Sequence, residues 1–352
     1  MKALVVEDER STQMLLRHSL ESLGYEIVLA ADGLEALEIF RREPVHLIIS
    51  DWMMPGMEGT ELCRNIRAES FHGYVYFLLI TSRSETRDVI DAFSAEVDDY
   101  ITKPFEPAEL AARLRTADRI LALETRDMAI FAMAKLAESR DPETGGHLER
   151  VREYSRAIAV QMGLQGPYAH QITPEFVRLL YITSPLHDIG KVSIPDHVLL
   201  KPGRLDDREF EIMKTHAQAG ADTLAKAMHA YPKARFLRMA WEIALYHHEW
   251  YDGSGYPTGL CGQDIPLAAR VFTIADVYDA LSSRRVYKEA YSHETARSII
   301  VQSRGTQFDP EVVRAFLEAE SMVIDIRQRF APYRDDKEAS EADSEKSRRM
   351  LA

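Results

Sequence analysis

Short apolar runs alternate with amphipathic helical patterns through residues 1–105, and most runs close on a charged or hydroxyl-bearing side chain. Residues 3–6, 26–30, 45–50, 74–80 and 98–101 read as strands, and residues 12–23, 33–41 and 58–69 carry apolar positions at helical spacing. Strands separated by single helices must return in the same direction. The pattern therefore predicts an α/β unit, a doubly wound five-stranded parallel sheet with its site at the carboxyl ends of the strands. After Pro107 the pattern turns helical, with no Gly or Pro between residues 108 and 140. Leu110, Leu114, Ala117, Leu121, Met128 and Phe131 keep heptad spacing, broken by Glu124. Such a helix, residues 108–140, can pack on its own domain or pair with a second copy as a parallel coiled coil; the second is the expectation, and with it a homodimer. Residues 125–331 show only helices and loops, an all-α unit. Residues 332–352 are charged and small, as in a disordered tail.

Glu7 and Asp8 end the first strand, Asp51 the third, Thr81 the fourth and Lys103 the fifth. In a parallel sheet these residues converge on one crevice. Carboxylates there can hold Mg²⁺, and a remaining one can attack a phosphoryl donor while a lysine and a hydroxyl hold its oxygens. Together with Asp51-Trp-Met-Met-Pro-Gly56 and Lys103-Pro104, these residues resemble a response-regulator receiver domain over residues 1–120. The resemblance implies Asp51 as phosphoacceptor, Glu7 and Asp8 as Mg²⁺ carboxylates, Tyr100 as an aromatic switch, a cis Lys103–Pro104 bond and a sensor histidine kinase as partner. Glu7 departs mildly from the commoner Asp. Cys63, in a helical pattern, is expected to pack rather than react.

Further on stand His187 and Asp188, then His216, the pair His247-His248, and Asp276, with Glu143 and His147 upstream. No cysteine is among them. Nitrogen and oxygen donors of this kind suit iron, manganese or zinc, and they are enough for more than one ion. Metal clusters of this sort cleave phosphodiesters. Each element alone is weak, since a buried histidine more often serves a hydrogen bond than a metal. The ordered series is what carries the inference: Glu138-Ser-Arg-Asp-Pro-Glu-Thr-Gly-Gly-His147, His187-Asp-Ile-Gly-Lys191, His247-His-Glu249, Gly255-Tyr-Pro257 and Asp276-Val-Tyr-Asp-Ala-Leu281.

This series resembles the HD-GYP branch of HD-type phosphohydrolases, which hydrolyse cyclic di-GMP. Carried over residue by residue, the resemblance implies Glu143, His147, His187, Asp188, His216, His247, His248 and Asp276 as ligands of two or three transition-metal ions, iron or manganese first. Asp188 bridges, and Glu143 adds the third ion. Asp188 and Lys191 are implied as catalytic, with Lys191, Arg285, Lys288 and Tyr256 at the substrate. The Gly255-Tyr256-Pro257 loop is implied as a docking surface for other proteins. Val286, where Pro is usual, and Trp250, where a basic residue is common, depart from the pattern.

The rest of the chain narrows the class. The net charge is −13, from 43 basic and 56 acidic residues, which disfavours nucleic acid as a partner. Cys63 and Cys261 are the only cysteines, so a reducing compartment, the cytoplasm, is expected. No run is apolar enough for a signal peptide or a membrane span. The expectation is a response regulator whose phosphorylation controls hydrolysis of cyclic di-GMP to the linear pGpG, with GMP as a further product only if a third metal is held. The alternatives are a noncatalytic adaptor acting through the Gly255-Tyr256-Pro257 loop, an enzyme for another cyclic dinucleotide, and a DNA-binding output, for which no helix-turn-helix pattern is present.

Overall fold

All five expected strands form within two residues of their predicted bounds: β1 (Lys2–Val6), β2 (Glu26–Ala30), β3 (Leu47–Asp51), β4 (Tyr76–Thr81) and β5 (Asp99–Thr102). This is a computed structural model, and it describes residues 1–69, 74–82, 86–140, 146–283 and 290–330. The strands are all parallel, in the order β2-β1-β3-β4-β5. Between them run α1 (Arg10–Ser22), α2 (Gly33–Arg42), α3 (Gly59–Ala68) and α4 (Thr86–Ser94). Helices cover both faces of the sheet, so its central strands are apolar on both sides instead of alternating. One face packs Leu4, Val6, Ile48, Phe77 and Leu79 against Leu37, Phe40, Leu62 and Ile66. The opposite face sets Val5, Leu47, Ile49, Leu78 and Ile80 against Leu16 and Leu20. Asp32 starts α2 by accepting hydrogen bonds from the Leu34 and Glu35 amides, each at 2.9 Å.

After β5 the chain enters one long helix, α5 (Pro107–Glu138). Leu110, Leu114, Ala117 and Leu121, which heptad spacing assigned to a coiled-coil seam, are buried in the core over the second face of the sheet. That half of the seam expectation is corrected. Packing on a sheet and packing on a partner helix ask for the same apolar stripe, so spacing alone does not separate them. Met128 is exposed, and Phe131 is half-buried beside Ile130 and Ala134 in a cluster with Leu148, Leu186 and Leu237.

The chain divides into two units, Met1–Met128 and Ala129–Ala352. The second contains α6 (His147–Leu164), α7 (Pro174–Thr183), α8 (Asp196–Leu199), α9 (Asp207–Ala230), α10 (Arg235–Tyr246), α11 (Leu267–Ser282), α12 (His293–Gln302), α13 (Pro310–Glu318) and α14 (Glu320–Arg329). Helix α11 is buried nearly all round and forms the centre of this unit, with Phe272 and Tyr278 packed against Tyr154 of α6 and Phe316 of α13. Asp309 caps α13 as its sequence predicted, with Pro310 at the first helical position. The same carboxylate pairs with buried Arg270, which ties the cap to the core.

Lys191 does not sit on a ligand-bearing α-helix, as its spacing from Asp188 suggested. His187 and Asp188 stand between two short 3₁₀ turns, Ser184–Leu186 and Ile189–Ser193. Glu143, Arg285, Val286, Lys288 and the tail 332–352 lie outside the described residues. Among the described residues no helix is long and apolar enough to cross a membrane.

Candidate functional site

Because β1, β3, β4 and β5 run parallel, their last residues meet at one edge. Glu7, Asp8 and Asp51 offer carboxylate oxygens that lie within 4.8 Å of one another. Lys103 Nζ lies 2.9 Å from Glu7 Oε2 and 2.8 Å from Asp51 Oδ2. Burial of Glu7 raises its pKa, against the pull of the Lys103 ammonium. Thr81 is buried at the end of β4. Tyr100 is half-buried on β5, its ring edge-on to Phe93 at 6.0 Å. The Lys103–Pro104 bond is cis. Three carboxylates form an all-oxygen donor set, which fits a hard divalent cation such as Mg²⁺.

The second cluster draws on five separate segments. His147 opens α6, His187 and Asp188 join the two 3₁₀ turns, His216 lies on α9, His247 and His248 follow α10, and Asp276 lies on α11. Donor atoms of His216, His247 and His248 fall within 4.8 Å of one another, and so do those of His147, His187 and Asp276. Asp188 stands between these groups. Its Oδ1 is 3.1 Å from His216 Nε2 and 3.7 Å from His247 Nε2, and its Oδ2 is 3.2 Å from His187 Nε2. A single carboxylate thus faces both sets of imidazoles. Lys191 Nζ is 2.8 Å from the same Oδ2.

Four of the imidazoles have their other nitrogen tied down. Nδ1 of His187 donates to Ser184 O at 3.0 Å, that of His216 to Met213 O at 2.7 Å, and that of His247 to Ile243 O at 3.0 Å. His147 Nδ1 donates to Asp279 Oδ2 at 2.8 Å. A carbonyl or carboxylate only accepts, so each Nδ1 carries a proton, which leaves Nε2 as the nitrogen that would ligate a metal. Burial, with neighbouring imidazoles adding, holds His247 well below the usual histidine range and His248 at about 3. Burial opposes the charge on Asp188, yet Lys191 and His187 keep its carboxyl well below the ordinary value, and Asp188 in turn raises the His187 pKa against burial. His247 and His248, held neutral beside an ionised carboxylate, are in the protonation states that metal ligation requires. The donor set fits first-row divalent ions.

Two glycines permit this convergence. A Cβ on Gly190 would lie 2.0 Å from His216 O and 2.5 Å from Gly220 N, so only glycine lets the turn after Asp188 press on α9. A Cβ on Gly255 would lie 2.3 Å from Trp250 N. The chain can therefore fold back, and the Tyr256 ring stacks on His248 with centroids 4.6 Å apart. Glu249, buried beside the histidine pair, accepts from Thr258 N and Oγ1, each at 2.7 Å, and from Gly259 N at 3.1 Å. It pins the loop.

Comparison with known proteins agrees with this layout. Residues 3–115 match the response regulator receiver domain, and residues 132–312 match the HD domain. The chain belongs to the response regulators that carry an HD domain. A probable cyclic di-GMP phosphodiesterase of Vibrio cholerae is 40% identical over 352 residues, spanning 93% of this chain and 80% of that protein. The cyclic di-GMP phosphodiesterase response regulator RpfG of Xanthomonas campestris pv. campestris is 36% identical over 356 residues, spanning 94% and 91%. A second Vibrio cholerae protein, 3'3'-cGAMP-specific phosphodiesterase 2, is 40% identical over 204 residues, spanning 58% and 37%.

Within the HD domain the structure brings together His147, His187, Asp188, Lys191, His216, His247, His248 and Asp276, with Tyr256 against His248. Sequence reasoning missed Asp279. Besides holding His147, it receives Arg150 through Nε at 2.6 Å and a second nitrogen at 3.0 Å. Its position three residues after Asp276 puts both carboxylates on one face of α11, a spacing that could have flagged it. Glu249 and Gly190 were likewise read as motif letters without a task.

Proposed function

We propose that this response regulator is a metal-dependent phosphodiesterase that hydrolyses cyclic di-GMP to pGpG, with GMP as the further product where a third ion is held. Phosphorylation of Asp51 by a sensor histidine kinase controls it. The observation that carries the reading is the pairing of Asp188 with two groups of imidazoles whose Nδ1 protons are already committed. When bound, two or three iron or manganese ions would supply Lewis acidity at the phosphoryl oxygens and lower the pKa of a water. His216, His247 and His248 would hold one ion, His147, His187 and Asp276 another, and Asp188 would bridge. Glu143 is assigned to a third. Lys191, fixed against Asp188, would steady a phosphate oxygen. Burial keeps the Tyr256 phenol protonated, so it would serve as a donor at the edge of the site. Arg285 and Lys288 are assigned to the substrate's second phosphate, the Gly255-Tyr256-Pro257 loop to docking of partner proteins, and Mg²⁺ to Glu7, Asp8 and Asp51.

The working unit we assign is a homodimer in the cytoplasm. Exposed Met128, Met133 and Leu136 on α5 support the dimer as apolar surface left over once the upper half of that helix is buried. The test is hydrolysis by anaerobically purified, metal-loaded protein, with nucleotides separated by chromatography. Cyclic di-GMP, 3'3'-cGAMP and cyclic di-AMP run side by side, because one relative is named for the second of these. Asp188→Ala should remove metal and activity together. Wild-type turnover in that variant would end the catalytic assignment, and preference for another dinucleotide would replace the substrate.

A further inference from the structure

Arg140 reaches from the end of α5 to the turn that carries Lys191. Its Nη1 donates to Val192 O, and its Nη2 donates to Ile194 O at 3.4 Å and to Asp196 Oδ1 at 2.6 Å. Those partners are 52 to 56 residues away in sequence and gather at the closing end of the Ile189–Ser193 turn. The metal donors and substrate contacts described so far leave Arg140 without a task.

Pro195 explains why the turn takes a donor from outside. A 3₁₀ turn continues by pairing each carbonyl with the N–H three residues on, and three residues after Val192 stands Pro195, which has no N–H. The guanidinium supplies that donor, and its planar fork reaches three acceptors at once. On the other flank of the same turn Gly190 presses on α9 at His216 O. Between these grips the turn closes on itself: Lys191 N donates to Asp188 O at 2.9 Å, and Ile194 N to Lys191 O at 3.0 Å. The Lys191 backbone is thus held from both flanks, with its Nζ 2.8 Å from Asp188 Oδ2. Helical hydrogen bonding runs up to Arg140, since Ser139 N donates to Lys135 O at 2.9 Å. The outer grip therefore comes from α5.

We propose that Arg140 is a positioning residue: through the Val192 and Ile194 carbonyls, the end of α5 holds the Lys191 ammonium on Asp188. The proposal rests on the phosphodiesterase reading for the task of Lys191. It adds a residue that acts through Lys191 and is assigned to neither metal nor substrate.

Full-length wild type, Arg140→Ala, Arg140→Lys, Lys191→Ala and the double variant of Arg140→Ala with Lys191→Ala are loaded with Mn²⁺. Turnover of cyclic di-GMP, melting, metal content and amide hydrogen exchange over residues 187–196 are compared. Arg140→Ala should lower kcat at least about tenfold, as a displaced catalytic group does, with KM and bound Mn²⁺ little changed. Arg140→Lys should recover part of that loss, because an ammonium reaches one acceptor well but not three. In the Lys191→Ala background the same substitution should cost nothing further, since the side chain it positions is gone. Exchange should quicken over the turn alone. Melting should fall by no more than about 4 °C, because the Arg140–Asp196 pair is largely exposed. A full additional loss of rate in the Lys191→Ala background, or wild-type exchange over the turn in Arg140→Ala, would overturn the proposal. So would loss of Mn²⁺ or a much larger drop in melting, either of which marks a merely structural role. If the wild-type protein hydrolyses no cyclic dinucleotide, the phosphodiesterase reading fails, while exchange over the turn still decides whether Arg140 holds it.

Discussion

Gly190→Ala puts the packing of the site to a direct test. The added Cβ would meet His216 O at 2.0 Å, Gly220 N at 2.5 Å and the His216 carbonyl carbon at 2.9 Å, all of them backbone atoms that no rotamer change moves aside. Restoring a tolerable contact of roughly 3.2 Å means opening the turn from α9 by about 1.2 Å. The Asp188 Oδ1 to His216 Nε2 separation, now 3.1 Å, would widen by a comparable amount. The strain belongs at the upper end of overpacking costs, about 3 kcal/mol. For a unit the size of the HD domain that lowers the melting temperature by about 6–12 °C. A misplacement near 1 Å at a reacting centre costs on the order of a hundredfold in rate. The assay is metal content, melting and turnover of Gly190→Ala beside Gly220→Ala. The latter places its Cβ 3.2 Å from Gly190 N, a contact a slight shift relieves. Gly220→Ala should remain close to wild type. Wild-type metal content and melting in Gly190→Ala would refute the claim that this turn sets the Asp188 position.

Asp279→Asn should leave buried Arg150 poorly matched and His147 free to turn, costing about 3 kcal/mol or more in stability and on the order of 10–100-fold in metal affinity, read by Mn²⁺ titration. Burial pushes the Asp279 carboxyl up, but His147 and Arg150 hold it below the ordinary value. Its stabilisation is therefore present above the unfolded carboxyl pKa of about 3.9 and lost as pH falls through the lower folded value, so melting in acid should steepen below about pH 4 in the wild type and less so in Asp279→Asn. In the native protein a thiol reagent at pH 8 should modify exposed Cys261 and spare Cys63, whose thiol burial pushes up to about 12; two reactive thiols without denaturant would contradict the packing around α3. A beryllofluoride mimic at Asp51 should change turnover and oligomeric state modestly and leave Asp51→Ala unaffected, and a bound mimic that alters neither would break the proposed coupling.

Much of this was readable from residue order. Period and punctuation set the strand and helix sequence, because a sheet buried on both faces needs continuous apolar runs, and its polar edge is where Glu7, Asp51, Thr81 and Lys103 had to fall. The ligands were legible because few residue types bind metal. Less legible was anything decided by which surface meets which. Leu110 to Leu121 fit a coiled coil and a sheet face equally, and only the sheet's own uncovered side chose between them. The turns around His187 looked helical because a 3₁₀ turn and an α-helix differ by one residue in their hydrogen bonding. Gly190 and Asp279 act on atoms far away in sequence, His216 O and His147 Nδ1, and no local pattern announces a contact of that range.

The anchored imidazoles bear on which element the protein carries in a cell. With Nδ1 of His147, His187, His216 and His247 locked to oxygen acceptors, the rings cannot pivot to suit an ion's preferred geometry. A cage held rigid resists the adjustment that a poorly fitting ion would need, so its geometry works against the intrinsic series in which zinc and copper outrank manganese and iron. Supply then acts together with that geometry. The cation found would record both the fit of the cage and the metal pool in which the chain folded, and a preparation exposed to trace zinc would report in part on its buffers.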